Sequence, residues 1–201
     1  HAGVGFRGRA RVSTRTAVPA RSHPDESPSR SGRWPGVDRF PPVHRILAER
    51  IAKCRACPRL DAYLETQRHD QPSWWNRPQS GFGDRQARLL VLGLAPGRAG
   101  ANRTGRPFTG DAAGLWLYRA LHALGLCSRP EAADPKDGTR LRGVYVTNAL
   151  KCVPPRNLPA PAELVACRGH LASELARLEA LRAVFVLGGV AHAALAALLA
   201  P

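Results

Sequence analysis

The residues best suited to chemistry lie in one loop and one cysteine frame. The segment Leu89–Asp111, LLVLGLAPGRAGANRTGRPFTGD, opens as a buried strand and becomes a loop with five glycines and two prolines. It closes on Phe108 and Asp111, just ahead of an apolar helical run. Strand–loop–helix junctions of this kind are where open α/β sheets place binding and catalytic groups. In GLAPG, Gly93 and Gly97 permit backbone conformations closed to other residues, and Pro96 stiffens the turn between them. Their N–H groups either line a pocket for a developing anion or simply form a tight turn. No GK[ST] follows, so this is not a Walker A loop, nor is it a dinucleotide turn of the G-x-G-x-x-G type.

Three side chains near this loop carry two readings each. Asp111 sits where a helix N-cap belongs, and a carboxylate there at a strand's C-terminal edge can also do chemistry. Phe108, between Pro107 and Thr109, is either a core anchor for the loop or a stacking platform for a planar ligand. Asn148, near the end of a second apolar run, either reads a donor and an acceptor on a base edge or satisfies a turn. His192 lies on an Ala/Leu-rich helix and reads as a packed or surface histidine.

The five cysteines fall at 54, 57, 127, 152 and 167. Cys54 and Cys57 form C-x2-C ahead of Pro58, and fourteen residues separate Cys152 from Cys167. If the N-terminal helix packs beside the 152–167 segment, the four thiolates suit zinc or an iron–sulfur cluster. Four unconnected thiols and a redox C-x2-C are the alternatives, but a redox pair follows a strand, and this one follows a helix. Cys127 stands apart from the frame.

Elements that position these groups can be read from periodicity. A helix over Pro42–Lys53 places Val43, Ile46, Leu47 and Ile51 on one face. A polar connection over 61–88 holds Trp74 and Trp75. Strands are expected at 87–94, 143–150 and 183–188. Helices follow Asp111 (Leu115, Trp116, Tyr118, Leu121, Leu124, stopping at Gly125), run from Pro161 to about Leu181, and cover Val190–Leu199. Alternating strands and helices from Ala87 onward predict a mostly parallel sheet flanked by helices. Residues 1–42, rich in Arg, Ser, Pro and Gly, read as a disordered basic tail or a non-native leader, and 43–201 as the domain.

Composition bounds the rest. The net charge of +15 and pI near 11.2 come almost wholly from arginine, since lysine occurs only at 53, 136 and 151. Guanidinium-rich chains favour phosphate partners, although a GC-rich genome writes arginine freely too. No run approaches the ~18 apolar residues of a membrane helix, and no signal-peptide pattern heads the chain. The chain has no methionine, begins at His1 and ends at Pro201 beside an apolar helix, which reads as a fragment.

Taken together, GLAPGRAGANRTGRPFTGD at 93–111, TNALKCVPPRN at 147–157 and the C-x2-C…C-x14-C frame resemble the iron–sulfur uracil-DNA glycosylases, most closely their family 5 (type B) branch. Family 4 is similar but has a glutamate where this chain has Leu94. The resemblance spans roughly residues 44–199. It implies a three-layer α/β/α sandwich and a structural 4Fe–4S cluster on Cys54, Cys57, Cys152 and Cys167. It implies a base pocket of Gly93, Ala95, Pro96, Gly97, Asn102, Phe108 and Asn148, with Phe108 stacking on a flipped uracil and Asn148 reading its edge. Asp111 and Asn148 resemble the active-site pair. Arg103, Arg106, Lys151 and Arg156 lie close enough to the motifs to hold phosphates.

The implied reaction is hydrolysis of the N-glycosidic bond of uracil in DNA, and of other deaminated bases including hypoxanthine. The expectation is a monomer acting on DNA in a reducing cytosol or nucleoid. The family continues into a further strand and a histidine-bearing, HPS-like loop. The chain stops before that element, so a truncated domain of reduced activity is expected. A non-catalytic Fe–S nucleic-acid-binding relative and a zinc-stabilised module are the competing readings.

Overall fold

The computed structural model describes residues 42–200, with side chains from residue 45 onward. The expectation for residues 1–42 therefore lies outside the described residues, apart from Pro42, whose backbone opens the first helix.

That helix, α1 (Pro42–Ala52), buries Leu47 and Ile51, while Ile46, expected on the same face, is 60% exposed. The stretch expected as a polar connection instead holds a helix, α2 (Pro58–Asp70). Pro58 supplies a first-turn proline whose missing N–H costs nothing there. Leu60, Leu64 and Gln67 bury one narrow stripe at i, i+4 and i+7. The other residues of α2 are largely polar, which is why periodicity missed it.

Four strands form one sheet: β1 (Phe82–Gly83), β2 (Leu89–Gly93), β3 (Val144–Asn148) and β4 (Ala183–Val186). Their order is β1-β3-β2-β4. β2 runs parallel to both β3 and β4, and the unanticipated β1 pairs antiparallel with β3 on the edge. The register sets Leu92 beside Thr147 and Gly93 beside Asn148, so the loops that follow β2 and β3 leave the same edge of the sheet.

Strand alternation divides the core into two faces. On one side Val91, Val144 and Val146 pack with Tyr118 and Leu121 of α4 (Ala112–Ala123). On the other, Leu90 and Leu92 pack with Leu171 of α5 (Pro161–Leu175) and Leu195 of α6 (Gly189–Leu199). The sheet between these helices bears out the expected α/β class and its layered arrangement. Trp116 and Leu124, expected on the buried face of α4, are exposed instead. α4 ends as predicted at Gly125, whose φ of 70° lies in the left-handed region that Gly adopts without penalty.

α5 stops at Leu175 rather than about Leu181. Three-residue backbone bonds from Arg177 to Glu174 and from Leu178 to Leu175 tighten the chain into turns there, seating Leu178 in the core. A single turn of helix, α3 (Ala101–Thr104), lies inside the glycine-rich loop and was not anticipated.

Candidate active site

Gly93 ends β2 level with Asn148, and the two define the floor of the site. A side chain at Gly93 would come within 2.5 Å of Asn148 Oδ1 and 2.6 Å of Phe108 Cζ. The Asn148 amide and the Phe108 ring thus converge over the one position in the strand that has no side chain. Phe108 holds this place at a φ of 53°, which a residue with a Cβ adopts only at a cost.

The surrounding turn enforces that conformation. Tyr118 Oη donates to the Pro107 carbonyl at 3.2 Å, and Thr109 Oγ1 donates to the same oxygen at 3.1 Å. Gly114 of α4 lies so close to the Phe108 carbonyl that any Cβ would collide with it. Beneath the turn, Arg106 is 5% exposed and grips Asp137 with two bonds of 3.0 and 2.7 Å, while its Nε donates to Thr109. Burial alone would raise the Asp137 pKa. The hydrogen bonds from Arg106 and Thr139 and the Arg106 charge overcome it and hold the carboxyl well below the usual range.

Asp111 does what its position predicted: its Oδ1 caps α4 by accepting the Gly114 N–H at 2.9 Å. Its other oxygen faces the GLAPG loop, 3.1 Å from where a Gly97 side chain would begin and tight against Gly100. One carboxylate thus caps a helix with one oxygen and turns the other toward the loop.

The remaining pocket residues divide. Pro96 is buried, and Ala95 packs against Leu60, Leu64 and Leu150, joining this loop to the cysteine layer. Asn102, 1% exposed, is occupied structurally: Nδ2 donates to Asn76 Oδ1 at 2.8 Å, and its N–H to the Gly97 carbonyl at 2.9 Å. Of the four cations expected to hold phosphates, Arg103 and Arg156 are exposed. The other two need correction. Arg106 is committed to Asp137 as described. Lys151 is 1% exposed, with Nζ donating to Glu174 at 2.6 Å, Asn148 O at 2.7 Å and Thr147 Oγ1 at 2.8 Å.

Cys54, Cys57, Cys152 and Cys167 all line one cavity, and Cys127 lies elsewhere, in the core beside Tyr118. The bidentate bridge from Arg59 to Glu163, both bonds 2.7 Å, ties the start of α2 to the start of α5 and so helps bring the two cysteine pairs together. The thiols surround the space rather than meet at a point. Among the described residues, no three His, Cys, Asp or Glu side chains gather as ligands of a single metal ion.

Burial, reinforced by the neighbouring thiols, pushes Cys152 far above the ordinary thiol range. Cys167 is pushed up to about 11, chiefly by burial, although the Lys151 N–H bonds its sulfur at 3.3 Å. Thiols crowded this way ionise readily only around a cationic group.

Several residues that shape the site escaped sequence reasoning. Asp137, Glu163 and Glu174 look like ordinary surface acids, and their partners are 23 to 104 residues away in sequence. Trp74 and Trp75 were visible as two aromatics in a polar stretch, the sort of signal that marks an exposed site.

The model of the uracil DNA glycosylase superfamily matches residues 80–200. A type-5 uracil-DNA glycosylase from Thermus thermophilus is 48% identical over 156 residues, covering 75% of this chain and 71% of the relative. A second, from Pyrobaculum aerophilum, is 43% identical over 149 residues, 72% of this chain and 66% of its own length. A type-4 uracil-DNA glycosylase from Thermotoga maritima is more distant, 34% identical over 126 residues and 51% of its length. The expected kinship and its ordering, type 5 before type 4, are borne out: this chain belongs to the uracil DNA glycosylase superfamily and is more similar to these type-5 members than to the type-4 one.

Proposed function

We propose that this chain, as residues 43–201, hydrolyses the N-glycosidic bond of uracil in DNA, acting as a monomer. The observation that carries the reading is the convergence of Phe108, Asn148 and the Asp111 carboxylate around the GLAPG loop. A base inside a duplex is out of reach of such a pocket, so the nucleotide must swing out of the stack. Phe108 then lies against the face of the uracil ring. The Asn148 amide, with one donor and one acceptor, matches the adjacent N–H and carbonyl of the base's pairing edge.

Cleavage leaves positive charge on the sugar and negative charge on the departing base. The Asp111 oxygen facing the loop stabilises the sugar cation and orients the water that adds to C1′. The C1′–N1 electron pair leaves with the uracil, whose charge the amide of Asn148 and the loop's backbone N–H groups stabilise until it takes up the proton released by the added water. Stacking on Phe108 holds any planar base by its face, which supports acceptance of other deaminated bases such as hypoxanthine.

The four cavity cysteines fit a 4Fe–4S cluster. A cluster needs thiols spread around it, whereas a lone zinc needs them converged. When bound, the cluster supplies a structural brace between α2, α5 and the segment after Asn148. Thiolate ligation also suits a reducing compartment such as the cytosol. Among the described residues no helix is long and apolar enough to cross a membrane.

The experiment is release of free uracil from a duplex carrying a G·U mismatch, using protein purified without oxygen. Wild type should release base and be brown; colourless protein with stoichiometric zinc would refute the cluster. Asp111→Asn keeps an N-capping side chain, so melting should hardly change while release falls by about 10²- to 10³-fold. Salt-dependent DNA binding with no base release by the brown wild type would overturn the enzymatic reading in favour of a non-catalytic binding relative.

A further inference from the structure

An open groove of about 610 Å³ runs beside the candidate active site, with Trp74, Trp75, Arg77, Arg103, Thr104 and Asp134 in its wall. It sits directly next to the catalytic loop. The Arg103 guanidinium lies over Gly110, 2.5 Å from where a side chain would begin there, and Gly110 precedes Asp111.

The groove is built rather than incidental. Trp75 is 40% exposed, yet its indole rests on Gly105, which would place a Cβ 2.8 Å from the ring and has a φ of 78°. The Trp75 N–H donates to the Arg103 carbonyl at 3.0 Å, and the next N–H, of Asn76, to the Asn102 carbonyl at 3.2 Å. The Asn76 amide is anchored in turn on the carbonyls of Gln67 and Gln71. Trp75 is thus fixed at the surface with half-buried Trp74 beside it, although neither indole belongs to any of the buried clusters.

Each indole also carries a guanidinium. Arg77 Cζ stands 5.9 Å from the Trp75 ring and Arg98 Cζ 5.4 Å from the Trp74 ring. A stacked guanidinium is held by its face and keeps its in-plane N–H groups for phosphate oxygens. Asp134 repels phosphate from its own wall, which directs a backbone toward Arg77 and Arg103.

We propose that this groove binds the nucleotide next to the flipped one on the damaged strand, its phosphate held by Arg77 and Arg103 and its base or sugar lying against Trp74 and Trp75. The proposal rests on DNA being the substrate and adds where the strand goes after it leaves the pocket. It also gives a role to aromatics that the base pocket does not use.

The test is a series of single-stranded uracil oligonucleotides lengthened one nucleotide at a time on the 5′ or the 3′ side. In wild type, kcat/KM should step up at one addition on one side only. Trp75→Ala should remove that step, by about 5- to 150-fold, the range of one base stacked on an aromatic. Arg77→Ala, an exposed change that leaves the fold intact, should shrink the step and lower the salt slope of oligonucleotide binding by about one.

A wild type with no such step, or variants that keep it, would overturn the groove while leaving uracil release intact. If wild type releases no base from any length, the enzymatic reading has failed, and the groove is judged by tryptophan fluorescence instead. Quenching by short oligothymidylate whose midpoint rises in Arg77→Ala supports it; a midpoint unchanged in that variant refutes it.

Discussion

At the scale of single residues, the proposed pocket depends as much on absent side chains as on present ones. Gly93 shows this most directly, because its backbone lies in ordinary strand conformation and a methyl group there meets first the ends of Asn148 and Phe108. Gly93→Ala should therefore leave the sheet hydrogen bonds in place and displace both groups proposed to contact the base. We expect uracil release to fall by about 100-fold, a loss near 2.7 kcal/mol of transition-state stabilisation, with a melting temperature within a few degrees of wild type. If release falls only as far as thermal stability does, Asn148 and Phe108 are not the base-reading pair. Gly114→Ala would be a poorer probe, since its Cβ strikes the Phe108 backbone and α4 itself must shift.

Elements hold these residues through contacts of very different legibility. β2, β3 and β4, the helices after Asp111 and Pro161, and the cap at Asp111 all follow from local pattern, and each was readable in the sequence. Local pattern stops where partners come from far away. Nothing in DPKDG marks Asp137 as the buried acid that pins the 106–109 turn, and nothing in RTGRPF marks Arg106 as its partner rather than a phosphate contact. α2 was hidden by its polar exterior, and β1 by being two residues long. The Arg106–Asp137 clamp is testable by pH. The folded carboxyl is depressed, so its stabilisation is complete above about pH 4, where an unfolded aspartate is ionised, and is lost as pH falls below that. Asp137→Asn should cost about 3 kcal/mol at pH 7 by leaving buried Arg106 without a counter-charge. Between pH 4 and pH 2 the variant should lose stability less steeply than wild type. Urea midpoints across that range check both points; parallel profiles would mean the clamp contributes nothing.

Across the whole molecule, the cysteine cavity and the proposed base pocket are joined through one buried ion pair. Lys151 leads into Cys152, donates its N–H to Cys167 Sγ, and sends Nζ to the Asn148 carbonyl and to Glu174 of α5. Glu174 also accepts from Gly81 N–H and Thr147 Oγ1, so α5, β3 and the segment entering β1 meet on its carboxylate. All three ammonium hydrogens have partners, the condition under which a buried charge is tolerated. Removing one member strands the other: Glu174→Gln or Lys151→Met should each cost about 3–5 kcal/mol. The double change Lys151→Met with Glu174→Leu should recover much of that, because two apolar groups need no counter-charge. Recovery of stability need not restore function. The double variant should regain its urea midpoint yet release uracil more slowly than wild type, because Asn148 has lost the ammonium that fixes its backbone. Full recovery of both would show that the pair serves folding alone and that the end of β3 is held by the sheet without it.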